Sequence, residues 1–352
     1  MKLSVGIVGL PNVGKSTLFN ALVTKHKAGI GAHPFTTIDK NIGVVEVPDD
    51  TLFQLAKIEN IAKVTPATIT FVDIAGLIKG AHQGEGLGNQ FLHHIREVDL
   101  ILHVVRFFQN EEVSHVHPKI DPEEDIAIVD EELLLSDLQS LERRLKKEKV
   151  EPKEKVVVGN LVEKLNQGVA AREIDLSDSE RAIVKPLNLI TQKKQVIVAN
   201  IDEKQLANPP RSIDSKDMLP ICAKLEAELI DLPWVEQQQF LKTYGLLRSA
   251  KEEIVATCYR SLDIITFYTI AKRTEARAWP IRHGSTASVA AGAVHTDFAK
   301  RFIKVEAINA EELIKDGSWK KAHEMGKVLI HGREYQVQDK DVLEFKVGAF
   351  EN

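Results

Sequence analysis

Residues 9–17 are Gly-Leu-Pro-Asn-Val-Gly-Lys-Ser-Thr, and they lie between an apolar run at 3–8 and an amphipathic run at 18–22. They fit the P-loop pattern G-x-x-x-x-G-K-[ST] in its strand, loop and helix context. Glycines let successive backbone N–H groups face phosphate oxygens, while the helix N-terminus and the lysine add positive charge. The stretch therefore predicts a nucleoside-phosphate site formed by Asn12, Val13, Gly14, Lys15, Ser16 and Thr17.

A second motif downstream predicts the metal site. Residues 73–76 are Asp-Ile-Ala-Gly, a D-x-x-G motif that ends a predicted strand and begins 57 residues after Ser16 (73 minus 16). Next to a P-loop, we expect the Ser16 hydroxyl to bind Mg2+ and Asp73 to hold a water on that ion. The Gly76 N–H would contact the terminal phosphate and respond to its loss on hydrolysis.

A candidate first switch lies between these two motifs. Residues 34–38 are Pro-Phe-Thr-Thr-Ile. A threonine hydroxyl in such a segment completes the Mg2+ shell in switch-type nucleotide-binding proteins. We favour Thr37 over Thr36 for this role.

Composition limits the possible classes of protein. The chain has 352 residues, of which 43% are hydrophobic and 28% charged, and its formal net charge is -5, which excludes a globally basic nucleic-acid binder. Two cysteines are too few for a disulfide framework or a four-cysteine zinc site. No stretch approaches the roughly 20 apolar residues of a membrane span, and the N-terminus is not typical of a signal peptide. We expect a cytoplasmic protein without a membrane partner.

These motifs resemble those of the YchF/Obg-like ATPase family, within the Obg superfamily of translation-factor-like P-loop NTPases. Residues 9–17 are similar to that family's first nucleotide motif, 34–38 to its first switch and 73–81 to its second, which the glycine-rich stretch 84–89 follows. The resemblance covers essentially the whole chain. It implies an α/β protein, with a P-loop NTPase domain on a mostly parallel sheet, an inserted α-helical coiled-coil hairpin and a C-terminal β-grasp (TGS) domain.

The base-recognition element departs from the guanine-specific pattern. The strand at 195–199 leads into Asn-Ile-Asp-Glu at 200–203, where a guanine-specific enzyme has N-K-x-D. Glu203 is one methylene longer than the aspartate that accepts two hydrogen bonds from guanine, so strong guanine discrimination should be lost. The resemblance implies a preference for ATP over GTP, with Asn200 and the backbone of Ile201 contacting adenine. A GTPase in which Glu203 still reaches guanine is the alternative.

The residue that assists hydrolysis must differ from that of a Ras-like enzyme. Leu77 follows D-x-x-G, where Ras-like proteins have a water-orienting glutamine. The resemblance implies that a histidine from another part of the chain assists hydrolysis instead. The family pattern R-x-F-x-x-x-x-x-x-H-V places that histidine at His115. His82 is the reserve candidate, whereas His103 is expected in the core. The resemblance to potassium-activated GTPases makes Asn12 a candidate for holding K+.

The remaining sequence predicts two further domains. The base motif lies 127 residues after the D-x-x-G aspartate (200 minus 73), farther than in a minimal domain of this class. Apolar residues recur at helical spacing in part of the intervening chain. We therefore assign 1–124 and 196–263 to the P-loop domain, 125–195 to an inserted helical coiled coil and 264–352 to the TGS-like domain.

The partners follow mainly from the resemblance, which implies association with the ribosome, and we expect the large subunit. RNA contacts would come from the helical and TGS domains, each of which carries clustered basic residues. We expect a ribosome-associated, Mg2+-dependent ATPase that hydrolyses ATP to ADP and phosphate as a switch. A ribosome- or RNA-binding scaffold with a structural nucleotide is the alternative from another class.

Overall fold

The computed structural model describes residues 3–23, 41–74, 87–110, 120–147, 150–230, 232–271 and 274–348. Four of the predicted functional residues lie outside these ranges: Thr37, Gly76, His82 and His115.

The chain forms two compact units. The first, called unit N here, comprises Leu3–Val45 and Thr70–Ile254, and the second, called unit C, comprises Met1–Lys2, Glu46–Ile69 and Val255–Asn352. The chain therefore passes between the units three times after Leu3.

The described strands are β1 (Leu3–Val8), β2 (Asn41–Glu46), β3 (Lys63–Thr65), β4 (Thr68–Asp73), β5 (Leu100–Arg106), β6 (Lys194–Asn200), β7 (Ser212–Ile213), β8 (Lys216–Ile221), β9 (Ile264–Ala271), β10 (Glu275–Arg282), β11 (Phe302–Asn309), β12 (Leu329–His331) and β13 (Asp341–Val347). The described α-helices are α1 (Lys15–Val23), α2 (Asp50–Ile58), α3 (Leu87–Glu97), α4 (Pro122–Leu145), α5 (Pro152–Asn166), α6 (Asp178–Val184), α7 (Ala223–Leu229), α8 (Trp234–Thr243), α9 (Ala250–Ser261), α10 (Ala287–Val294), α11 (Thr296–Lys300), α12 (Ala310–Asp316) and α13 (Trp319–Glu324).

The larger sheet has the strand order β2-β4-β1-β5-β6-β8-β7. Strand β5 is parallel to β1 and β6, and β8 is parallel to β6, while the short β7 is antiparallel at the edge. Every residue of β5 is buried, as expected for a central parallel strand covered on both faces. Because these parallel strands end at the same edge, the residues after β1, β5, β6 and β8 come together there. The predicted mostly parallel sheet is confirmed.

Helices α4 and α5 form the predicted helical insertion. Helix α4 begins where the Asp121 side chain accepts a hydrogen bond from the Glu124 N–H, and α5 begins at a proline after a short connection. The helices share an apolar core that includes Leu141 and Leu161, and it also takes in Val184 of α6. The compact units do not separate this insertion from the rest of unit N.

Unit C contains a six-stranded sheet with the order β12-β11-β13-β9-β10-β3. Strands β9 and β10 form an antiparallel hairpin, with a register from Ala271↔Glu275 to Ile264↔Arg282. Strand β13 runs parallel to β9 and antiparallel to β11. One apolar cluster joins this sheet to α2, α12 and α13, and a second cluster joins it to α10.

The sequence-based domain boundaries differ from the compact units at 46–69 and 255–263, which were assigned to the P-loop domain. Residues 46–69 belong to unit C because β3 pairs in parallel with β10, and because Leu52 and Leu55 of α2 are buried in the unit C core. The Tyr268 hydroxyl also donates to Asp49 Oδ1 at 3.0 Å. Residues 255–263 belong there as well, since α9 continues directly towards β9.

Candidate nucleotide-binding site

The predicted P-loop follows β1 at the carboxyl edge of the sheet. Gly9 has φ +150°, and a Cβ atom there would lie 2.3 Å from the Val104 carbonyl oxygen of β5. Gly14 has φ +98°, and a Cβ atom there would lie 2.3 Å from Asn200 Nδ2. Both positions require glycine because a side chain would collide and the backbone conformation disfavours L residues. The loop is thereby packed tightly against the ends of β5 and β6.

Lys15 is the first residue of α1, and its side chain is turned into the loop. Its Nζ donates to the Leu10 carbonyl oxygen at 2.7 Å, and the residue is only 7% exposed. Burial lowers the pKa of this ammonium to about 8, and the nearby Asp73 carboxylate opposes that shift. The ammonium is thus held inside the phosphate-binding loop. A nucleotide phosphate would add negative charge beside this ammonium and favour its charged form.

Ser16 and Asp73 approach each other as the two motifs predict. Ser16 Oγ donates to Asp73 Oδ2 at 3.2 Å, although the residues are 57 positions apart. Mg2+ prefers hard oxygen ligands at 2.0–2.1 Å in octahedral geometry, so adjacent ligands stand about 3 Å apart. With the Ser16 hydroxyl on such an ion, the Asp73 carboxylate would lie close enough to hold a water molecule bound to it. Among the residues that the structure describes, no group of three or more His, Cys, Asp or Glu side chains could hold a metal ion.

Asn200 links the P-loop to the loop after β8. Its Nδ2 donates to the Val13 carbonyl oxygen at 2.9 Å, and its Oδ1 accepts from the Ala223 N–H at 3.1 Å. The residue is 4% exposed. The next residue, Ile201, is buried and donates its N–H to the Ile221 carbonyl oxygen at 2.8 Å. Two of the predicted base-binding residues therefore stand on a rigid junction beside the phosphate loop.

The carbonyl of Asn200 also fixes the chain that follows β5. It accepts the N–H groups of Phe107 and Phe108 at 2.9 and 3.1 Å. The buried Arg106 donates from Nε to Phe108 O at 3.2 Å and from Nη2 to Asn110 O at 3.0 Å. Sequence reasoning gave Arg106 no role, although it is the first residue of the pattern that ends at His115.

Glu203 lies beyond this junction, where it contacts two side chains. Lys224 Nζ donates to its Oε1 at 3.0 Å, and the Tyr244 hydroxyl donates to its Oε2 at 3.4 Å. The hydrogen bond from Lys224 is the main cause that lowers the pKa of the Glu203 carboxyl below its usual value. Tyr244 was missed from the sequence, since nothing in its surroundings forms a nucleotide motif.

Two further residues are buried and have shifted pKa values, and one of them is His103, which was expected in the core. Cys222 is buried directly before α7, and burial raises the pKa of its thiol, which fits packing rather than nucleophilic chemistry. His103 is buried in the middle of β5, where Gln195 Nε2 lies 3.1 Å from its Nδ1. Burial lowers the pKa of His103 to about 4, so it is a neutral core residue.

Together, the glycine-requiring loop, the Ser16–Asp73 pair and the Asn200 junction define a P-loop nucleotide-binding domain of the GTPase type. A family model described as 50S ribosome-binding GTPase matches residues 4–157. A model for the C-terminal part of YchF GTPases, described as a protein of unknown function, matches residues 264–348. The chain belongs to the YchF family, as the following relatives establish.

The chain is 40% identical to the Ribosome-binding ATPase YchF of Bacillus subtilis (strain 168), across 98% of this chain and 99% of the relative. It is 41% identical to the Ribosome-binding ATPase YchF of Escherichia coli O157:H7, with the same coverage. The solved structure of the Schizosaccharomyces pombe YchF GTPase superimposes with a TM-score of 0.84 and 31% identity, across 98% of both chains. In the described part of this chain, no helix has the length and apolar character that crossing a membrane requires.

Proposed function

We propose that this protein is a ribosome-associated, Mg2+-dependent ATPase that hydrolyses ATP to ADP and phosphate and acts as a nucleotide-dependent switch. The observation that carries the proposal is the arrangement of Asn200 and Glu203 in the base-recognition element at 200–203. Asn200 is fixed against the P-loop, whereas both oxygens of Glu203 already accept hydrogen bonds from other side chains. The bacterial relatives named as ribosome-binding ATPases add support for the substrate and the partner.

Adenine and guanine differ in the groups that they would present to this loop. Both purines present an N7 acceptor, but adenine has a 6-amino donor where guanine has an oxygen acceptor. The amide of Asn200 has two N–H bonds, of which one is used on Val13, so a second can be donated to N7. The Ile201 carbonyl oxygen would accept the 6-amino group of adenine and would repel the 6-oxygen of guanine.

The phosphates and the metal would be held by the P-loop side of the site. Lys15 would neutralise charge on the phosphates, while the N–H groups of residues 12–17 would donate to their oxygens. Bound Mg2+ would stabilise the charge that develops during phosphoryl transfer. Ser16, Asp73 and Thr37 would supply its protein-side contacts, and Asn12 would help to hold K+.

The hydrolytic step would use Gly76 of the second switch and a histidine that lies outside both switches. In this proposal the Gly76 N–H contacts the terminal phosphate, and a neutral His115 orients the attacking water or accepts its proton. The His115→Ala variant should bind ATP normally and lose turnover. Unchanged turnover would exclude His115 and redirect attention to His82.

The ribosome would be the partner of this switch in the cytoplasm. We assign its contacts to RNA of the large subunit, through the helical insertion and the C-terminal TGS-like domain. Sedimentation with separated subunits should show binding to the large subunit that depends on whether ATP or ADP is present. If Lys15→Ala binds ribosomes normally and complements a null strain, the protein is a scaffold and nucleotide is only a structural ligand.

Calorimetric titration with ATP and with GTP, each with Mg2+ at one ionic strength, tests the substrate. We expect ATP to bind at least about tenfold more tightly, the discrimination typical of one favourable polar contact with a base. Equal or tighter binding of GTP would overturn the ATPase assignment. It would mean that Glu203 recognises guanine despite its present partners.

A further inference from the structure

The carboxylate of Glu203 is held by two side chains, one in α7 and one directly after α8. Lys224 is the second residue of α7, and Tyr244 directly follows the last residue of α8. They engage separate oxygens, at 3.0 Å and 3.4 Å. Glu203 thus accepts one hydrogen bond on each oxygen, from Lys224 and from Tyr244.

This cluster lies next to the junction that positions the base. Ala223, whose N–H donates to Asn200 Oδ1, immediately precedes Lys224 in the chain. Glu203 follows Asn200 by three residues. The carboxylate therefore stands on the side of the site where a guanine-specific protein places its aspartate.

Guanine and adenine differ in whether they offer hydrogen-bond donors to a carboxylate at this position. Guanine needs two acceptor oxygens for its N1–H and 2-amino group, whereas adenine has no hydrogen on N1 and no 2-amino group. Because each carboxylate oxygen has two lone-pair sites, a guanine would have to share both oxygens of Glu203 with the ammonium and the phenol that already donate to them. An adenine requires neither oxygen, and the two donors offset part of the negative charge that Glu203 would otherwise present to adenine N1.

We propose that Lys224 and Tyr244 are specificity-determining positioning residues, which occupy the Glu203 carboxylate and thereby disfavour guanine nucleotides. The inference rests on the proposed ATPase function, because it explains how that preference arises. Tyr244 is the new element, since it directly follows α8 and lies outside the nucleotide motifs described above. In this arrangement the preference for ATP depends on the partners of Glu203 as well as on its length.

The hydroxyl of Tyr244 can be removed without loss of the residue's other contacts. Its ring packs on Phe240, with a centroid separation of 5.3 Å, and its backbone N–H donates to Leu241 O at 3.1 Å. The Tyr244→Phe variant removes the hydroxyl and keeps both of these contacts. Lys224 has a side chain that is 75% exposed, so Lys224→Gln removes the charge without opening a cavity. Lys242→Gln, at an exposed lysine of α8 two positions before Tyr244, is the matched control.

The experiment measures the dissociation constants of Mg-ATP and Mg-GTP by calorimetry for the wild type, the two single variants, the double variant and the control. Because contacts of exposed charged groups are weak, we expect each single variant to bind GTP about two- to fivefold more tightly. The double variant should gain about tenfold if the two contacts act independently. Affinity for ATP should change less than about twofold in all of them, which is within the range of neutral surface substitutions.

The outcomes separate this inference from the function on which it rests. A wild type that does not prefer ATP would overturn the proposed function. A wild type that prefers ATP, with a double variant that keeps the same ratio, would overturn only the role of Lys224 and Tyr244. The same substitutions in a Glu203→Ala background should leave the ratio unchanged, and a shift there would show that they act by another route.

Discussion

Replacement of Asn200 by aspartate should destabilise the nucleotide-free protein by an amount that depends on pH. In the wild type, Asn200 Nδ2 donates to Val13 O at 2.9 Å, and Oδ1 accepts from the Ala223 N–H at 3.1 Å. The Asn200→Asp variant keeps the second bond. It replaces the donor of the first bond by an oxygen that faces the Val13 carbonyl oxygen, in a place where the side chain is almost fully buried.

The magnitude follows from the burial of the introduced carboxyl. Desolvation without a compensating cation raises a carboxyl pKa by about 2–3 units, and each unit corresponds to about 1.4 kcal/mol. At pH 8, where the introduced carboxyl is ionised, the variant should therefore have about 3–4 kcal/mol less unfolding free energy than when that carboxyl is protonated. Because the folded pKa is raised above the unfolded value of about 4, the loss is absent below that pH. It grows as the pH rises, until it levels off above the folded pKa.

Urea unfolding followed by circular dichroism between pH 5 and pH 8 measures this dependence. Asn166→Asp is the matched control, because Asn166 Nδ2 also donates to a backbone oxygen at 2.9 Å, that of Val162, but from an exposed position. The control should change stability by less than about 0.5 kcal/mol. A cost for Asn200→Asp that matches the control, or that does not vary with pH, would refute the buried donor role of Asn200.

Three further predictions concern the same unit. Gly14→Ala places a Cβ atom 2.3 Å from Asn200 Nδ2 at φ +98°, so it should cost about 1–3 kcal/mol in urea unfolding and weaken nucleotide binding. Asp137→Asn disturbs a fully buried carboxylate, which accepts hydrogen bonds from the Thr191 N–H at 2.7 Å and from the Thr191 hydroxyl at 2.8 Å. The variant should lose about 3 kcal/mol of unfolding free energy, so hydrogen exchange of the backbone amides at 190–191 should accelerate about 100-fold. Burial lowers the pKa of Lys15 to about 8, so above that pH the folded protein loses a proton that the unfolded chain still holds. The unfolding free energy of the wild type, relative to that of Lys15→Met, should therefore rise between about pH 8 and 10. Parallel plots of unfolding free energy against pH for the two proteins would contradict this.

The phosphate side of the site could be predicted from sequence because its geometry is local. The loop at 9–17 requires particular residue types at fixed spacing, and the Ser16–Asp73 contact follows from two such motifs on one sheet edge. The base side could be predicted only in part. Glu203 was recognisable from its spacing to Asn200, but Tyr244 contacts it from 41 residues away without any pattern of its own. Side-chain contacts of this kind depend on how helices pack, which a local motif does not encode.

The division of the chain shows the same limit. Strand β3 has only three residues, and its pairing with β10 joins positions more than 200 residues apart. Helix α2 is amphipathic in sequence, but amphipathicity does not identify the surface that the helix covers. Residues 46–69 therefore looked like a continuation of the P-loop domain. By contrast, the β9–β10 hairpin could be predicted because its two strands are adjacent in sequence.

The placement of α2 and β3 in unit C also constrains how the chain is made. Residues 46–69 leave the ribosome early, whereas the rest of unit C begins only at Val255, after 185 intervening residues (70 to 254). At 5–20 residues per second, that interval lasts roughly 10–40 s. During this time Leu52 and Leu55 lack the sheet that later buries them. Unit C can thus complete its core only after the residues from Val255 onward have been made, and a fragment that starts at residue 264 would lack part of that core permanently.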